Sequence, residues 1–268
     1  MNKSMLKQRI ITALLLGPLL LAIVIYGNLY WFLLLVGVIQ TAATFEWLKI
    51  NKIKAPLALI NGIVITVLTL FLWHQLTLDV KAWFWLYVVI WVLALLWLLK
   101  HQWGYQNTTI QLLIKGVLGA LAILLFSLSM IQLFNLEQGN WWTLSLFLLI
   151  WVADIGAYIS GKTFGKHKLA VNISPGKTWE GVIGAQILVA VYAIVVSQFL
   201  AIEWTHAVMI MVPIALFSVV GDLAASLGKR QAKIKDSSNL LPGHGGFIDR
   251  FDSLIAAAPL YFILLNYL

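Results

Sequence analysis

The residues best suited to chemistry lie together between Ser226 and Asp252, a stretch of 27 residues. Basic side chains, carboxylates and glycines alternate along it, namely Lys229, Arg230, Lys233, Lys235, Asp236, Gly243, His244, Gly245, Gly246, Asp249, Arg250 and Asp252. Basic side chains neutralise phosphate, carboxylates hold divalent cations, and glycines let backbone N–H groups approach an anion. The stretch therefore predicts a site for phosphoryl or nucleotidyl transfer.

The composition places this site in a membrane protein. Hydrophobic residues make up 62% of the 268 residues and charged residues 10%, against about 45–50% and about 25% in ordinary soluble domains. So much apolar surface exceeds what one soluble core buries. Cysteine is absent, which excludes disulfide bonds, thiolate zinc sites and a cysteine nucleophile.

Nine apolar stretches have the length that crosses a lipid bilayer. We place them at 10–27, 29–48, 56–73, 83–99, 116–134, 141–161, 181–202, 205–223 and 251–268. Lys3, Lys7 and Arg9 precede the first stretch as in a signal peptide, but no small-residue cleavage pattern follows, so we expect a retained anchor. The expected fold is all-α, a multi-pass membrane protein with about nine transmembrane helices.

The distribution of positive charge predicts the orientation. With the N-terminus in the cytoplasm, 17 of the 18 basic residues fall on the cytoplasmic face and Lys81 lies opposite. This asymmetry follows the positive-inside rule and supports nine spans, with the site at the cytoplasmic side. We expect Lys177 and His244 on that side and Glu203 on the other. The net charge of +8 is mostly this topology signal, and it requires no nucleic-acid partner.

The chain divides by polarity into two parts. Residues 1–135 hold about five spans with short connections, and we expect a transmembrane scaffold there. Residues 136–268 hold about four spans and two cytoplasmic loops, at 162–180 and 228–250, and we expect the catalytic region there.

Three acidic residues near or within spans need separate interpretations. Glu46 in the scaffold is expected to pair with Lys49, one helical turn further along. Asp154 and Asp222 lie within or at the end of later spans, where an ionisable group costs about 2.5–3.5 kcal/mol on insertion scales and indicates a functional site. Asp154 is either a third carboxylate of the site or the partner of a nearby lysine.

The eight residues from Gly156 to Thr163 match the P-loop pattern letter for letter. That loop must follow a buried strand and open a helix in a soluble α/β unit, whereas this stretch ends a predicted membrane span. We therefore expect no P-loop here. Lys162 remains one of several basic residues able to meet phosphate, and Gly161 and Gly165 have the spacing that lets helices pack closely.

The polar segments resemble the signature of the phosphatidate cytidylyltransferase family, also called CDP-diacylglycerol synthase. The matching residues are Asp154, Ser174 to Gly181, Gly221-Asp222-Leu223, Ser226, Lys229-Arg230, Lys235-Asp236, Pro242 to Gly246 and Asp249-Arg250-Phe251-Asp252. The resemblance is detailed in the second half and limited to hydrophobic spans in the first. Two positions depart from the pattern, because Ala225 stands where an acidic residue is usual and Gly228 where a bulky apolar one is usual.

The resemblance implies a reaction and its partners. A cytidylyl group passes from CTP to the phosphate of phosphatidic acid, giving CDP-diacylglycerol and pyrophosphate with Mg²⁺, and a second cation is left open. The implied surroundings are membrane lipids, and the implied location is the bacterial inner membrane. The sequence leaves the oligomeric state open, a homodimer included.

The family motif also implies roles for the acidic residues. Asp222 and Asp249 are the implied metal ligands, and carboxylate oxygens suit Mg²⁺. A helix-end carboxylate paired with a lysine is the alternative for Asp222. Asp252, three residues after Asp249, either supports the site or pairs with Arg250. The hydroxyl of Ser226, one turn after Asp222, can reach the same site.

The remaining candidates bind phosphate or shape the loops. Lys229, Arg230, Lys235 and Arg250 are assigned to the triphosphate or the lipid phosphate, and Lys162, Lys177 and Asp236 join them in nucleotide binding, with Glu180 beside Lys177. Lys233 either binds phosphate or marks the inside face. His244 either donates to a phosphate, shuttles a proton or holds the glycine turn. Ser174-Pro175 indicates a turn and a helix start.

Two rival functions remain open from the residues. A CTP-dependent lipid alcohol kinase would use a similar site but transfer the γ-phosphoryl group. An ion-coupled transporter would use the intramembrane acids as an ion path, and such proteins often show inverted repeats. We find no such symmetry, and the basic glycine-rich loop would have no role there.

Overall fold

The computed structural model describes residues 3–75 and 80–267, with side chains at all of these except 3–11, 13, 75, 80–82 and 267. Within those residues the chain forms nine helices and one two-stranded antiparallel sheet. In chain order they are α1 (Lys3–Tyr26), α2 (Leu29–Ile50), α3 (Ala55–Gln75), α4 (Val80–Leu99), α5 (Thr109–Phe134), α6 (Gly139–Phe164), β1 (Lys168–Ala170), β2 (Ser174–Thr178), α7 (Trp179–Leu200), α8 (Trp204–Gln231) and α9 (Ile248–Tyr267). The side chains of Lys3, Lys7, Arg9 and Lys81 therefore lie outside the described residues.

The helices have the length and composition of a membrane protein. Among the described residues, α2, α3, α5, α6, α7 and α8 are each long and apolar enough to cross a bilayer. Helices α1 and α4 contain the shorter apolar stretches Leu14–Tyr26 and Trp83–Leu99, and α9 opens with the charged residues Asp249, Arg250 and Asp252. The prediction of an all-α, multi-pass membrane protein is confirmed.

Local sequence signals explain where several helices begin. The side chain of Asn28 accepts a hydrogen bond from the Trp31 N–H at the start of α2. Thr108 and Gln111 form a capping box at the start of α5. The hydroxyl of Thr178 accepts from the Gly181 N–H at the start of α7. Each cap satisfies an N–H that has no partner inside the helix.

Small residues let α6 and α7 pack closely. A Cβ on Gly161 would lie 3.6 Å from the Cα of Gly181, and one on Gly156 would lie 3.0 Å from the Cα of Ala185. Residues 156–163 are helical throughout, inside α6. These residues therefore form no strand-to-helix loop, and Gly156 and Gly161 serve helix packing instead.

Two predicted boundaries near the polar loops are wrong. Helix α8 continues to Gln231, two turns beyond the predicted end at 223, because its charged residues face a polar cavity and not lipid. Ser174-Pro175 opens no helix, since Ser174–Thr178 is a strand that pairs with Lys168–Ala170. This short hairpin was not predicted, because three and five residues carry too little periodicity to indicate strands.

Contacts between distant segments show which helix ends meet. The hydroxyl of Thr12 in α1 donates to the carbonyl oxygen of Pro242 at 2.9 Å. The ammonium of Lys115 in α5 donates to the side chain of Gln231 at 3.1 Å, and Lys177 in β2 pairs with Asp222 of α8 at 2.5 Å. The N-terminal part of α1, the start of α5, the hairpin and the end of α8 thus gather at one end of the molecule, which we call the site end.

We expect single cysteines introduced at positions 177 and 244 to react with a membrane-impermeant thiol reagent from the same side of the membrane, and a cysteine at 203 from the opposite side. Lys177 and His244 both belong to the site end, whereas Glu203 precedes α8 at the other. The chain has no native cysteine, so the unmodified protein serves as the unlabelled control. Labelling of 177 and 244 from opposite sides would contradict the nine-span arrangement.

Candidate active site

A polar cavity of about 460 Å³ opens at the site end, where α6, α8 and α9 meet. Its described lining contains five carboxylates and four basic side chains, namely Asp154, Asp222, Asp236, Asp249, Asp252, Lys229, Arg230, Lys235 and Arg250. Residues from α6, the end of α8, the following loop and the start of α9 thus converge on one space. The cavity collects most of the residues that the sequence predicted for the site.

Helix α8 supplies one face of the cavity. Asp222, Ser226, Lys229 and Arg230 lie four, three and one residues apart, which places them on adjacent turns of the helix. The hydroxyl of Ser226 donates to Oδ1 of Asp222 at 3.1 Å. The ammonium of Lys177, from β2, lies 2.5 Å from Oδ2 of Asp222. Asp222 is therefore paired with a lysine, as in the alternative to metal binding given above. The hydroxyl of Ser226 reaches Asp222 as expected.

Asp249, in the first turn of α9 ahead of its apolar stretch, holds several donors. Lys229 donates to Oδ1 at 2.6 Å, and the side chains of this pair are only 10% and 8% exposed. At Oδ2 the carboxylate accepts from the Gly246 N–H at 2.9 Å and from the Ser237 N–H at 2.8 Å, and the Ser237 hydroxyl lies 3.0 Å away. Asp249 thus ties α8, the loop and α9 together.

The ionisation of Asp249 follows from these contacts. Burial alone would raise the pKa of its carboxyl, but the hydrogen bonds and positive charge of Lys229 and the N–H donors of Gly246 and Ser237 lower that pKa below its ordinary value. The group therefore stabilises the fold above its unfolded pKa. That stabilisation is lost as the pH falls through the lowered folded pKa.

Two further carboxylates face Asp222 across the cavity. Asp154 lies on α6 and Asp252 on α9, and both line the cavity together with Asp222. The carboxylate of Asp252 accepts from the N–H of its neighbour Ser253 at 2.8 Å. Arg250 does not pair with Asp252, because its guanidinium donates twice to the carbonyl oxygen of His244, at 2.7 and 3.0 Å.

The loop between α8 and α9 is held by its own backbone. The His244 N–H donates to the Leu241 carbonyl at 2.8 Å, and the Leu241 N–H donates to the Gly245 carbonyl at 2.9 Å. Gly243 and Gly245 have φ values of 75° and 81°, which only glycine adopts readily. His244 contributes its carbonyl to Arg250 and lies in this turn, and it is not among the residues that line the cavity.

The hairpin places its predicted residues differently. Lys177 reaches Asp222, whereas Lys162 extends over Tyr158 at the exposed end of α6 and is not among the residues that line the cavity. Glu180 binds His167 at 2.6 Å and also accepts from its backbone N–H. Glu180 thus closes the hairpin onto α7.

Two buried groups of the N-terminal half were missed by the sequence analysis. The expected pair of Glu46 with Lys49 is wrong, because Lys49 lies over the Phe45 ring and Glu46 accepts hydrogen bonds from the α8–α9 loop. Lys115, predicted as an inside-face charge, is buried and donates to Asn107 and to Gln231, the last residue of α8. For Glu46, a charged residue inside a predicted apolar span was the available signal. Lys115 lay one residue before the predicted span at 116–134, so its burial had no such signal.

A second, apolar cavity of about 420 Å³ adjoins the first and shares Asp252 with it. Its lining includes three tryptophans and three small residues, namely Trp47, Trp91, Trp97, Gly221, Ala224 and Ala225. The departure at Ala225 therefore adds no carboxylate to the lining of this cavity. The departure at Gly228 is explained by packing, because a Cβ there would lie 2.8 Å from the ring of Trp47.

The donor set suits a hard cation bound in part by its substrate. Among the described residues, no three histidine, cysteine or acidic side chains stand together as a complete metal site. Asp222 and Asp252 nevertheless line one cavity. Mg²⁺ is commonly held by one or two carboxylates, with waters and substrate phosphates completing its shell.

Comparison with known proteins gives a consistent result. The model of the cytidylyltransferase family matches residues 7–268. A phosphatidate cytidylyltransferase of Haemophilus influenzae is 35% identical, with 96% of this chain and 97% of the relative aligned. Relatives of the same name from Pseudomonas aeruginosa and Bacillus subtilis are 37% and 36% identical, each with 97% of both chains aligned.

Proposed function

Because the chain belongs to the cytidylyltransferase family, we propose that it transfers the cytidylyl group of CTP to phosphatidic acid, forming CDP-diacylglycerol and pyrophosphate. The full-length relatives named phosphatidate cytidylyltransferase support this activity. The structural observation that carries it is the polar cavity, where five carboxylates and four basic side chains meet at one end of a membrane protein.

The chemistry asks mainly for positioning and charge compensation. A phosphate monoester has its second pKa near 6, so the lipid phosphate is already largely ionised and needs no strong base. Its oxygen forms a bond to the α-phosphorus of CTP, the bond from that phosphorus to the bridging oxygen breaks, and pyrophosphate leaves with the electron pair. Lys229, Arg230, Lys235 and Arg250 bind the phosphates and keep the two anions in line.

The charge of the cavity supports a role for a divalent cation. The lining carries one more carboxylate than basic side chain among the described residues, so alone it would not attract two polyanions. We assign Mg²⁺ to Asp222 and Asp252, where it would neutralise phosphate charge. Asp249 was predicted as a ligand, and its hydrogen bonds with Lys229, Gly246 and Ser237 favour instead a role in positioning Lys229.

The apolar cavity supports a place for the lipid acceptor. It adjoins the polar cavity at Asp252 and is walled chiefly by tryptophan, leucine and small residues. An acyl chain lying there would bring its phosphate to the polar cavity. The charge asymmetry of the loops supports a cytoplasmic orientation for this end. The bacterial source of the relatives supports a bacterial inner membrane as the location. Assembly as a homodimer stays a prediction.

Analysis of the released product tests the activity. Purified protein is incubated with CTP, Mg²⁺ and phosphatidic acid, and both products are quantified. We expect pyrophosphate and CDP-diacylglycerol in equal amounts. Release of CDP with transfer of the γ-phosphoryl group to a lipid alcohol would instead indicate the kinase alternative.

We expect Lys162→Ala to lower turnover by less than about tenfold, since one exposed charge contributes about 0.2–1 kcal/mol. Lys162 is exposed, contacts Tyr158 and lies apart from the cavity lining. The measurement is the initial rate at saturating CTP, with Lys177→Ala as the matched lysine that contacts Asp222. Complete loss of activity in folded, inserted Lys162→Ala protein would revive the P-loop interpretation.

A further inference from the structure

Glu46 is a buried carboxylate in the N-terminal half with four partners in the second half. Its side chain, in α2, is fully buried. It accepts from the Ser237 hydroxyl at 2.7 Å, the Ser238 hydroxyl at 2.6 Å, and the Phe247 and Ile248 N–H groups at 2.9 Å each. The last two are backbone donors at the start of α9, where the helix dipole also favours a negative charge.

The contacts of Glu46 are connected to the polar cavity through Ser237 and Asp249. The Ser237 hydroxyl lies within hydrogen-bonding distance of both Glu46 and Asp249. Asp249 in turn holds Lys229, which lines the cavity. A shift of the loop or of the first turn of α9 would therefore move Asp249 relative to Lys229 of α8.

The glycine at position 246 shows how closely this junction is packed. A Cβ at Gly246 would lie 2.1 Å from the Ser237 hydroxyl and about 2.4–2.5 Å from the two carboxylate oxygens of Glu46. The Gly246 N–H also donates to Asp249. Four hydrogen bonds fix the Glu46 carboxylate against this backbone, so the loop has little freedom to adopt another position.

We propose that Glu46 is a positioning residue for the reaction, although it lies in the half of the chain expected to be scaffold. It fixes the loop and the start of α9, and so places Asp249 and Lys229 for phosphate binding. The proposal rests on the proposed function for its kinetic effect and on the hydrogen bonds alone for its structural effect.

Glu46→Gln tests the proposal, because glutamine keeps the shape and replaces one acceptor oxygen by a donor that faces other donors. We expect CDP-diacylglycerol formation to fall by about a hundredfold, the effect of a misplacement near 1 Å. Gln40→Leu is the matched control, since Gln40 is a buried polar residue of α2 whose hydrogen bond goes to Thr69 in α3. It should keep most of the wild-type rate.

A second readout separates positioning from general stability. When Glu46→Gln is combined with Asp249→Asn, the rate of CDP-diacylglycerol formation should fall little further, because both changes disturb the same hydrogen-bonded group of residues. Hydrogen exchange should accelerate in peptides covering 236–249 in Glu46→Gln and stay unchanged in Gln40→Leu. Ser238→Ala removes one donor to Glu46 and should give a smaller effect of the same kind if Glu46→Gln fails to fold.

The outcomes are distinguishable. Wild-type turnover in Glu46→Gln, equal losses in both backgrounds, or unchanged exchange at 236–249 would each overturn the positioning role. A wild-type protein that forms no CDP-diacylglycerol would overturn the proposed function instead, and the exchange experiment would still decide whether Glu46 holds the loop.

Discussion

Asp222→Asn should lower CDP-diacylglycerol formation by more than about a hundredfold while the protein still folds and inserts. Asparagine nearly keeps the shape and can still accept from Ser226, but it removes the charge that faces Lys177 and the proposed cation. Loss of a charge stabiliser of the transition state costs roughly 3 kcal/mol or more, and about 1.36 kcal/mol corresponds to tenfold in rate.

The dependence on Mg²⁺ identifies the cause of that loss. If Asp222 and Asp252 share a cation, a variant with both aspartates changed to asparagine should be little less active than either single variant. A higher Mg²⁺ concentration should partly restore the activity of the less impaired single variant. Glu137→Gln is the control, an exposed carboxylate in the connection between α5 and α6. Near-normal turnover of Asp222→Asn at limiting Mg²⁺ would refute the metal assignment, and a loss independent of Mg²⁺ would leave only the pair with Lys177.

The helical architecture could be predicted from sequence because a bilayer imposes a simple rule. A span needs about 20 apolar residues and satisfies its backbone within one helix, so the nine stretches found in the sequence match the nine helices of the described residues. The rule marks where apolar character ends and not where a helix ends. It therefore stopped α8 at 223, although the helix carries Ser226, Lys229 and Arg230 into the cavity.

The residues of the site were predicted more fully than their partners. The resemblance to the family signature implied that Asp222, Lys229 and Asp249 belong to one site, and the structure places all three around one cavity. Which charges pair depends on distances between helices far apart in sequence. The contact of Glu46 with residues about 200 positions away is an example, because only the packing of α2 beside α9 brings it there.

Asp249→Asn should also abolish most activity, and added Mg²⁺ should not restore it. The change leaves the ammonium of Lys229 buried without its counter-charge, and breaking a buried ion pair from one side costs about 3–5 kcal/mol of stability. We expect a lower unfolding midpoint in detergent and a displaced lysine in the cavity. If Asp249 were a metal ligand, the activity of Asp249→Asn would instead rise with the Mg²⁺ concentration.

A double-mutant cycle completes this test. Lys229→Met removes the other charge, and when it is combined with Asp249→Asn no unpaired charge remains, while the introduced asparagine can still accept from Ser237 and Gly246. The double variant should therefore be destabilised by clearly less than the sum of the two single changes. Lys233→Met, at an exposed lysine just after the end of α8, is the control and should change stability little. Two results together would contradict this role: additive losses of stability in the double variant, and recovery of Asp249→Asn activity at high Mg²⁺. They would indicate that Asp249 is a metal ligand, because removal of Lys229 would not compensate for the loss of a ligand.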